Sequence, residues 1–351
     1  IAERMLGLEK QAEASFREAL EKKDRFVEAR LALASLALDA RQGETAMKMA
    51  QAAVAQNPQS GAALAAAAQA LLVQGDLAGA SRRVEEAIAA EPGSPAVWTT
   101  YLRIGLAGGR VAEVRTRIGQ QAAANPSNAG FVLLDGLASL AAEDVGRAET
   151  QAAKAASLDP RLAEAQTLLG NVYLRKRDLA RAKAAFGRAI ELQPRGVNAY
   201  LALVMIEVEQ GRLEEARKIC ERARAMEPGS PLIAQQLAAL YLDQGADVNQ
   251  ALALALEAKA KMPGAPAVSS TIGRAYLRLG RVNSALDELR GCAQGPQANP
   301  ECQHQMGLAQ AAAGNRGAAV EMLEKAARSA NYRRAAEVRQ AIERLQQGKA
   351  L

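Results

Sequence analysis

Six prolines, Pro58, Pro92, Pro126, Pro160, Pro194 and Pro228, stand 34 residues apart without a slip, and Pro263 follows after 35. In a chain holding only 12 prolines, five identical steps are not a chance arrangement, and a fixed period of this length marks a repeat array. Each proline follows a run of helix-favouring residues, as in VAQNP, IAAEP and IELQP, so it reads as the stop at the end of a helix. Between consecutive prolines the pattern predicts two helices with a short break between them. Glycine occupies that break in one column of the repeat: Gly75, Gly109, Gly211, Gly245, Gly280 and Gly314. Just past a helix end, glycine enters the left-handed region without a steric penalty and closes the helix.

The packing columns share this register. Ala46, Ala80, Ala148, Ala182, Ala216, Ala251, Ala285 and Ala319 form one line in the second helix, broken by Val114. Seven residues on, Ala53, Ala87, Ala155, Ala189, Ala223, Ala258 and Ala326 form another, with Gln121 and Cys292 as exceptions. Residues seven apart share a helix face, and small ones let neighbouring helices approach closely. Gly136, Gly170, Gly273 and Gly307 share a column of the first helix, followed three residues later by Tyr173, Tyr241 and Tyr276. Aromatic residues are only 3% of the chain, so packing depends on alanine and leucine.

The stretch AEAQTLLGNVYLRKRDLARAKAAFGRAIELQP, residues 163–194, resembles the tetratricopeptide repeat (TPR) family at Leu169, Gly170, Tyr173, Ala182, Phe186, Ala189 and Pro194. The resemblance extends over almost the whole chain. It implies an all-α fold, a right-handed superhelical solenoid of helix hairpins. One array would cover 1–351: a partial repeat over 1–26, nine full repeats over 27–331, and a C-terminal capping helix over 332–351. The nine repeats start near Val27, Gly61, Pro95, Ala129, Ala163, Val197, Pro231, Pro266 and Pro300. In the partial repeat, Ile1 falls midway along a first helix, while Ala12, Phe16, Ala19 and Leu20 match a second helix. Further repeats are therefore expected upstream, and the single apolar stripe of Ala335, Val338, Ile342 and Leu345 is expected to close the array.

Three repeats depart from the pattern. The one from Pro95 carries Leu102, Gly105, Val114 and Gln121, the next places Asp135 on an apolar face, and Glu207 takes a tyrosine position. Each acid either reaches solvent or an arginine, or marks a bend or docking point. Between Asp243 and Asn249 one extra residue predicts a lengthened turn.

Catalysis has little material. His304 is the sole histidine, so no histidine pair, metal cluster or Ser–His–Asp set can be assembled, and no phosphate-binding glycine loop is present. His304 itself is expected at the surface or in the groove. No catalytic residue, metal or cofactor is expected. The net charge of +6 comes from interleaved charges, as in RLEEARK, without aromatic-plus-basic stretches, so nucleic acid is not expected. No apolar run reaches the roughly 18 residues of a membrane span. Cys220 belongs to a core column, whereas Cys292 and Cys302 flank the turn AQGPQANP. Spacing alone leaves those two as free thiols or as a disulfide, the latter implying an oxidising compartment.

The surface left for function is the face of the first helices, which line the concave side of such a stack. Its candidate binding residues are Leu106, Leu133, Leu137, Leu140, Asn171, Leu174, Arg175, Leu201, Met205, Val208, Leu242, Arg274 and Arg278. The leucines either complete packing between repeats or form an apolar groove in which arginines fix an acidic group. The carboxylate clamp of chaperone-binding TPR proteins and the asparagine ladder of the O-linked N-acetylglucosamine transferase superhelix are both missing. The expectation is a non-catalytic scaffold that binds a protein or peptide segment in its groove, or the regulatory region of a larger enzyme. In overall style the alanine-rich array is similar to TPR proteins of bacterial exopolysaccharide and exosortase-associated envelope systems. That likeness favours a periplasmic or envelope location and leaves the oligomeric state open.

Overall fold

A computed structural model describes residues 2–22, 26–295, 298–330, 332–349 and 351, with side chains from residue 11 onwards. Among these residues every regular element is an α-helix. A 21-residue helix, α1 (Ala2–Lys22), comes first. Nine hairpins follow, whose first helices are α2 (Val27–Asp39), α4 (Gly61–Gln74), α6 (Pro95–Ala107), α8 (Ala129–Ala141), α10 (Ala163–Arg175), α12 (Val197–Glu209), α14 (Pro231–Asp243), α16 (Pro266–Arg278) and α18 (Pro300–Ala312). Their second helices are α3 (Gly43–Gln56), α5 (Leu77–Ala90), α7 (Val111–Ala124), α9 (Val145–Leu158), α11 (Leu179–Leu192), α13 (Leu213–Met226), α15 (Val248–Lys261), α17 (Val282–Ala293) and α19 (Arg316–Ala327). The last helix is α20 (Ala335–Gln346). The chain divides into two compact units, residues 1–199 and 200–351.

The prolines act through the residue before them. Proline disfavours the helical region for its predecessor. Asn57, Glu91, Asn125, Asp159, Gln193, Glu227 and Met262 accordingly leave the helix with φ between −139° and −128° and ψ between 58° and 95°. The glycines of the other break all have φ between +67° and +85°. Three repeats lack glycine there, and Arg41, Glu143 and Arg177 take the same left-handed conformation at φ 55°, 61° and 60°. The turn geometry is thus imposed by the hairpin even where the side chain resists it. The extra residue of the seventh hairpin is absorbed between α14 and α15, where Asp247 accepts hydrogen bonds from the amides of Asn249 and Gln250. At the N-terminus α1 runs unbroken through Gly7, so the break expected between a first and a second helix does not form there.

Within each unit, successive helices pack on one another, and first helices also touch the first helices of neighbouring hairpins: α2, α4, α6, α8 and α10 in one unit, α14, α16 and α18 in the other. The alanine columns lie in these seams. All eight alanines of the first column, and Val114, are fully buried. The departures in the third hairpin compensate one another: a Cβ on Gly105 would lie 2.1 Å from Val114, so glycine opposite makes room for the larger residue. Gln121 donates to the Pro92 carbonyl at 3.0 Å. Trp98 anchors this region, edge-on to Tyr101 and Phe131 at 5.5 and 6.4 Å, with its indole N–H on the Pro92 carbonyl at 2.8 Å. In the fifth hairpin the Phe186 ring sits 2.5 Å from where a Cβ on Gly170 would be, so that column needs glycine.

Both buried acids meet arginine. Asp135, 1% exposed, accepts from Arg147 at 2.8 Å and from Gln151 at 2.7 Å. Glu207, 2% exposed, accepts from Arg212 at 2.5 Å.

The end of the second unit combines a conserved-geometry turn with a changed surface. Val338 and Leu345 of α20 are buried against Ala319, Leu323 and Ala326. Gly348 follows α20 in the left-handed conformation at φ 81°, and the Lys349 amide bonds the Arg344 carbonyl at 2.9 Å. Arg281 and Asn315 make the same bond at the same distance in the two preceding turns. Yet Glu337, Gln340 and Arg344 are exposed in columns held by Trp98, Met306 and Tyr276 in complete hairpins. A second helix would have to pack on those three polar residues.

Candidate functional site

The candidate residues fall in both units. In the first, Leu106, Leu137 and Leu140 are half-buried and pack against the clusters around Trp98 and Val132, while Leu133 is a buried member of the latter. Asn171 and Leu174 are half-buried on α10, and Arg175 is exposed at its end. In the second, Leu201 and Val208 are half-buried. Met205 is 61% exposed and Leu232, on α14, 45%. Leu242 is fully buried, which removes it from any binding surface: its side chain completes the packing of α14.

The arginines also differ from expectation. Arg175 pairs with Glu143 of the preceding turn at 3.0 Å, and Arg274 pairs with Asp243. Both are therefore ties between neighbouring hairpins, and an acidic ligand would have to displace an internal carboxylate. Arg278 has no side-chain partner among the described residues and stands at the turn end of α16. Polar groups elsewhere on the first helices are likewise joined to one another: Gln69 donates to Thr100 at 2.8 Å, and Gln235 to Thr271 at 3.2 Å.

His304 is 1% exposed, a correction to the expected surface or groove position. The Tyr332 hydroxyl donates to Glu301 at 2.6 Å, so the bond of 2.9 Å between Tyr332 and His304 Nδ1 must use the imidazole proton. Arg334 bridges Glu301 at 2.9 Å and Glu337 at 2.6 Å. Burial first, and then the Arg334 charge, lower the His304 pKa, which keeps the ring neutral. Burial alone would raise Glu301, but hydrogen bonds from Tyr332 and Gln305 and the Arg334 charge bring it below the usual range. This network joins α18 to the segment leading into α20. Sequence reasoning missed it because its members lie 28 to 33 residues apart without a motif.

Cys292 and Cys302 form a disulfide across a Cα–Cα distance of 5.8 Å, joining α17 to α18, so they are not the free pair that spacing also allowed. Cys220 is buried against the Ile233 carbonyl, and burial pushes its thiol up to about 12. Among the described residues no group of three or more His, Cys, Asp and Glu side chains could hold a metal ion. No described helix is long and apolar enough to cross a membrane.

Helix hairpins of 34 residues, left-handed breaks and buried alanine seams define a helical repeat protein. Family models described as tetratricopeptide repeat match residues 37–104 and 167–231. These two segments carry tetratricopeptide repeats, and helix hairpins of the same form continue on either side of them. No curated protein matches the chain. A similar solved structure is described as the crystal structure of the APC/C hetero-tetramer Cut9-Hcn1, with a TM-score of 0.63 and 17% sequence identity. The match covers 91% of this chain and 63% of that one, so this chain spans under two thirds of its neighbour's length. At that identity the likeness speaks for the fold. Tetratricopeptide repeats indicate a protein–protein interaction scaffold.

Proposed function

We propose that this scaffold binds an apolar segment of a partner protein on the face of its first helices. The observation that carries the reading is the exposure of Met205 and Leu232 on consecutive first helices, where most other large apolar side chains are buried or half-buried. Leaving a flexible methionine in water costs apolar burial that a partner would restore. The Cys292–Cys302 bridge supports an oxidising compartment, since such bonds persist outside reducing cytosol. A bacterial envelope or exopolysaccharide assembly is one setting that meets this condition.

Photo-crosslinking amino acids placed at positions 205 and 232, and at exposed Leu256 on α15, test the reading in an extract of the source cells. Adducts at 205 that disappear when Leu232→Glu is added, and adducts at 232 that disappear when Met205→Glu is added, with none at 256, are expected. Equal adducts at all three positions would reject the first-helix face.

A further inference from the structure

We infer a second, basic docking edge at the turns of the last hairpins, fitted to an acidic, extended segment of a partner protein. Gly280, Gly314 and Gly348 mark three successive turns of the second unit that share a left-handed glycine and the same closing backbone hydrogen bond. Arg278, Arg281, Arg316 and Lys349 surround these turns. All four are exposed, and none has a side-chain hydrogen bond or ion pair among the described residues.

Most arginines elsewhere are engaged, as at Arg117 with Glu85, Arg147 with Asp135 and Arg224 with Glu257. The contrast within one column is sharper. Arg110 and Arg212 occupy the same N-cap position as Arg281, but Arg110 reaches Glu113 and Arg212 reaches Glu207. The corresponding positions beside Arg281 are Ser284 and Tyr276, which offer no carboxylate. Other hairpins place an acid at this N-cap, where Asp76, Asp144 and Asp178 accept amide hydrogen bonds. Arg281 makes no cap bond, and Arg316 opens α19. A cation at a helix N-terminus opposes the helix dipole. These residues therefore cost local stability and gain no internal partner, which is the pattern of side chains kept for an external one.

The spacing selects the partner. Packed helices lie about 8–10 Å apart, and three residues of an extended chain cover about 10 Å. Acids at every third residue thus meet successive turns. Duplex DNA offers a much denser charge, one per about 1.7 Å, and the edge has no aromatic side chain to stack on bases.

Arg278 also reaches back to the preceding turn. Its Nη1 lies 3.8 Å from where a Cβ on Gly245 would be, and Arg316 Nη1 lies equally close to that point on Gly348. The edge therefore runs over four turns. It is separate from the apolar face proposed above, and loss of one would leave the other.

Fluorescence anisotropy on the whole chain, with a labelled (Glu-Ser-Gly)4 peptide at low salt, tests the inference. Binding that weakens at least tenfold in Arg278→Gln/Arg281→Gln/Arg316→Gln protein is expected, with a melting temperature no lower than before. A control, Arg82→Gln/Arg161→Gln, removes two equally unpaired arginines of the first unit and should bind as the parent does. The inference is overturned if the triple variant binds unchanged or the control weakens equally. Equal affinity for a peptide with its four glutamates clustered at one end, or tighter binding of a 20-base-pair duplex, would overturn it too.

Discussion

Arg41 shows how the repeat overrides a residue's own preference. Its φ of 55° sits where six other hairpins use glycine. The left-handed region costs an ordinary residue about 1–2 kcal/mol, part of which glycine returns through its freer unfolded chain. Arg41→Gly should therefore stabilise the protein by about 1 kcal/mol, seen as a higher denaturation midpoint. The Asp135–Arg147 pair predicts an asymmetry instead. Arg147 is 44% exposed and can turn to water, whereas Asp135 cannot. Breaking a buried pair from the exposed side strands the charge left inside, at about 3 kcal/mol or more, while an apolar replacement of the buried partner can be nearly neutral. Urea melts should show Arg147→Ala losing more stability than Asp135→Leu; the reverse order would mean that Gln151 alone satisfies the acid.

At the scale of elements, the attachment of α20 depends on ionisation. His304 has a lowered pKa in the folded state, so its contribution is present above the unfolded histidine value of about 6.5 and is lost as pH falls. Glu301, also lowered, acts in the same direction at more acid pH. Hydrogen exchange across α20 should speed up between pH 7 and 5 relative to α14, and His304→Phe should reduce that difference. Little of this was legible beforehand. The helix hairpins were, because proline, glycine and alanine act through backbone and volume, which recur in every repeat. Side-chain partners such as His304 and Tyr332, or Arg274 and Asp243, meet only when one hairpin is laid on the next. Burial of Leu242 escaped notice for the same reason, since its column is half-buried in most other hairpins.

For the molecule as a whole, the register determines where function can reside. Columns that repeat without change hold the fold together, so a partner-specific surface has to come from positions at which the repeats differ. Met205 and Leu232 differ in exposure, and Arg281 and Arg316 in having no internal acid. The turn after α20 carries a further consequence. Its backbone departs as it does after every other first helix, and Glu337, Gln340 and Arg344 are what a following helix would meet. What can pack after α20 is thus decided by three side chains and not by the course of the main chain. A few substitutions at these positions would change what can be joined to α20, which makes the length of such an array an easily edited character, in evolution and at the bench alike.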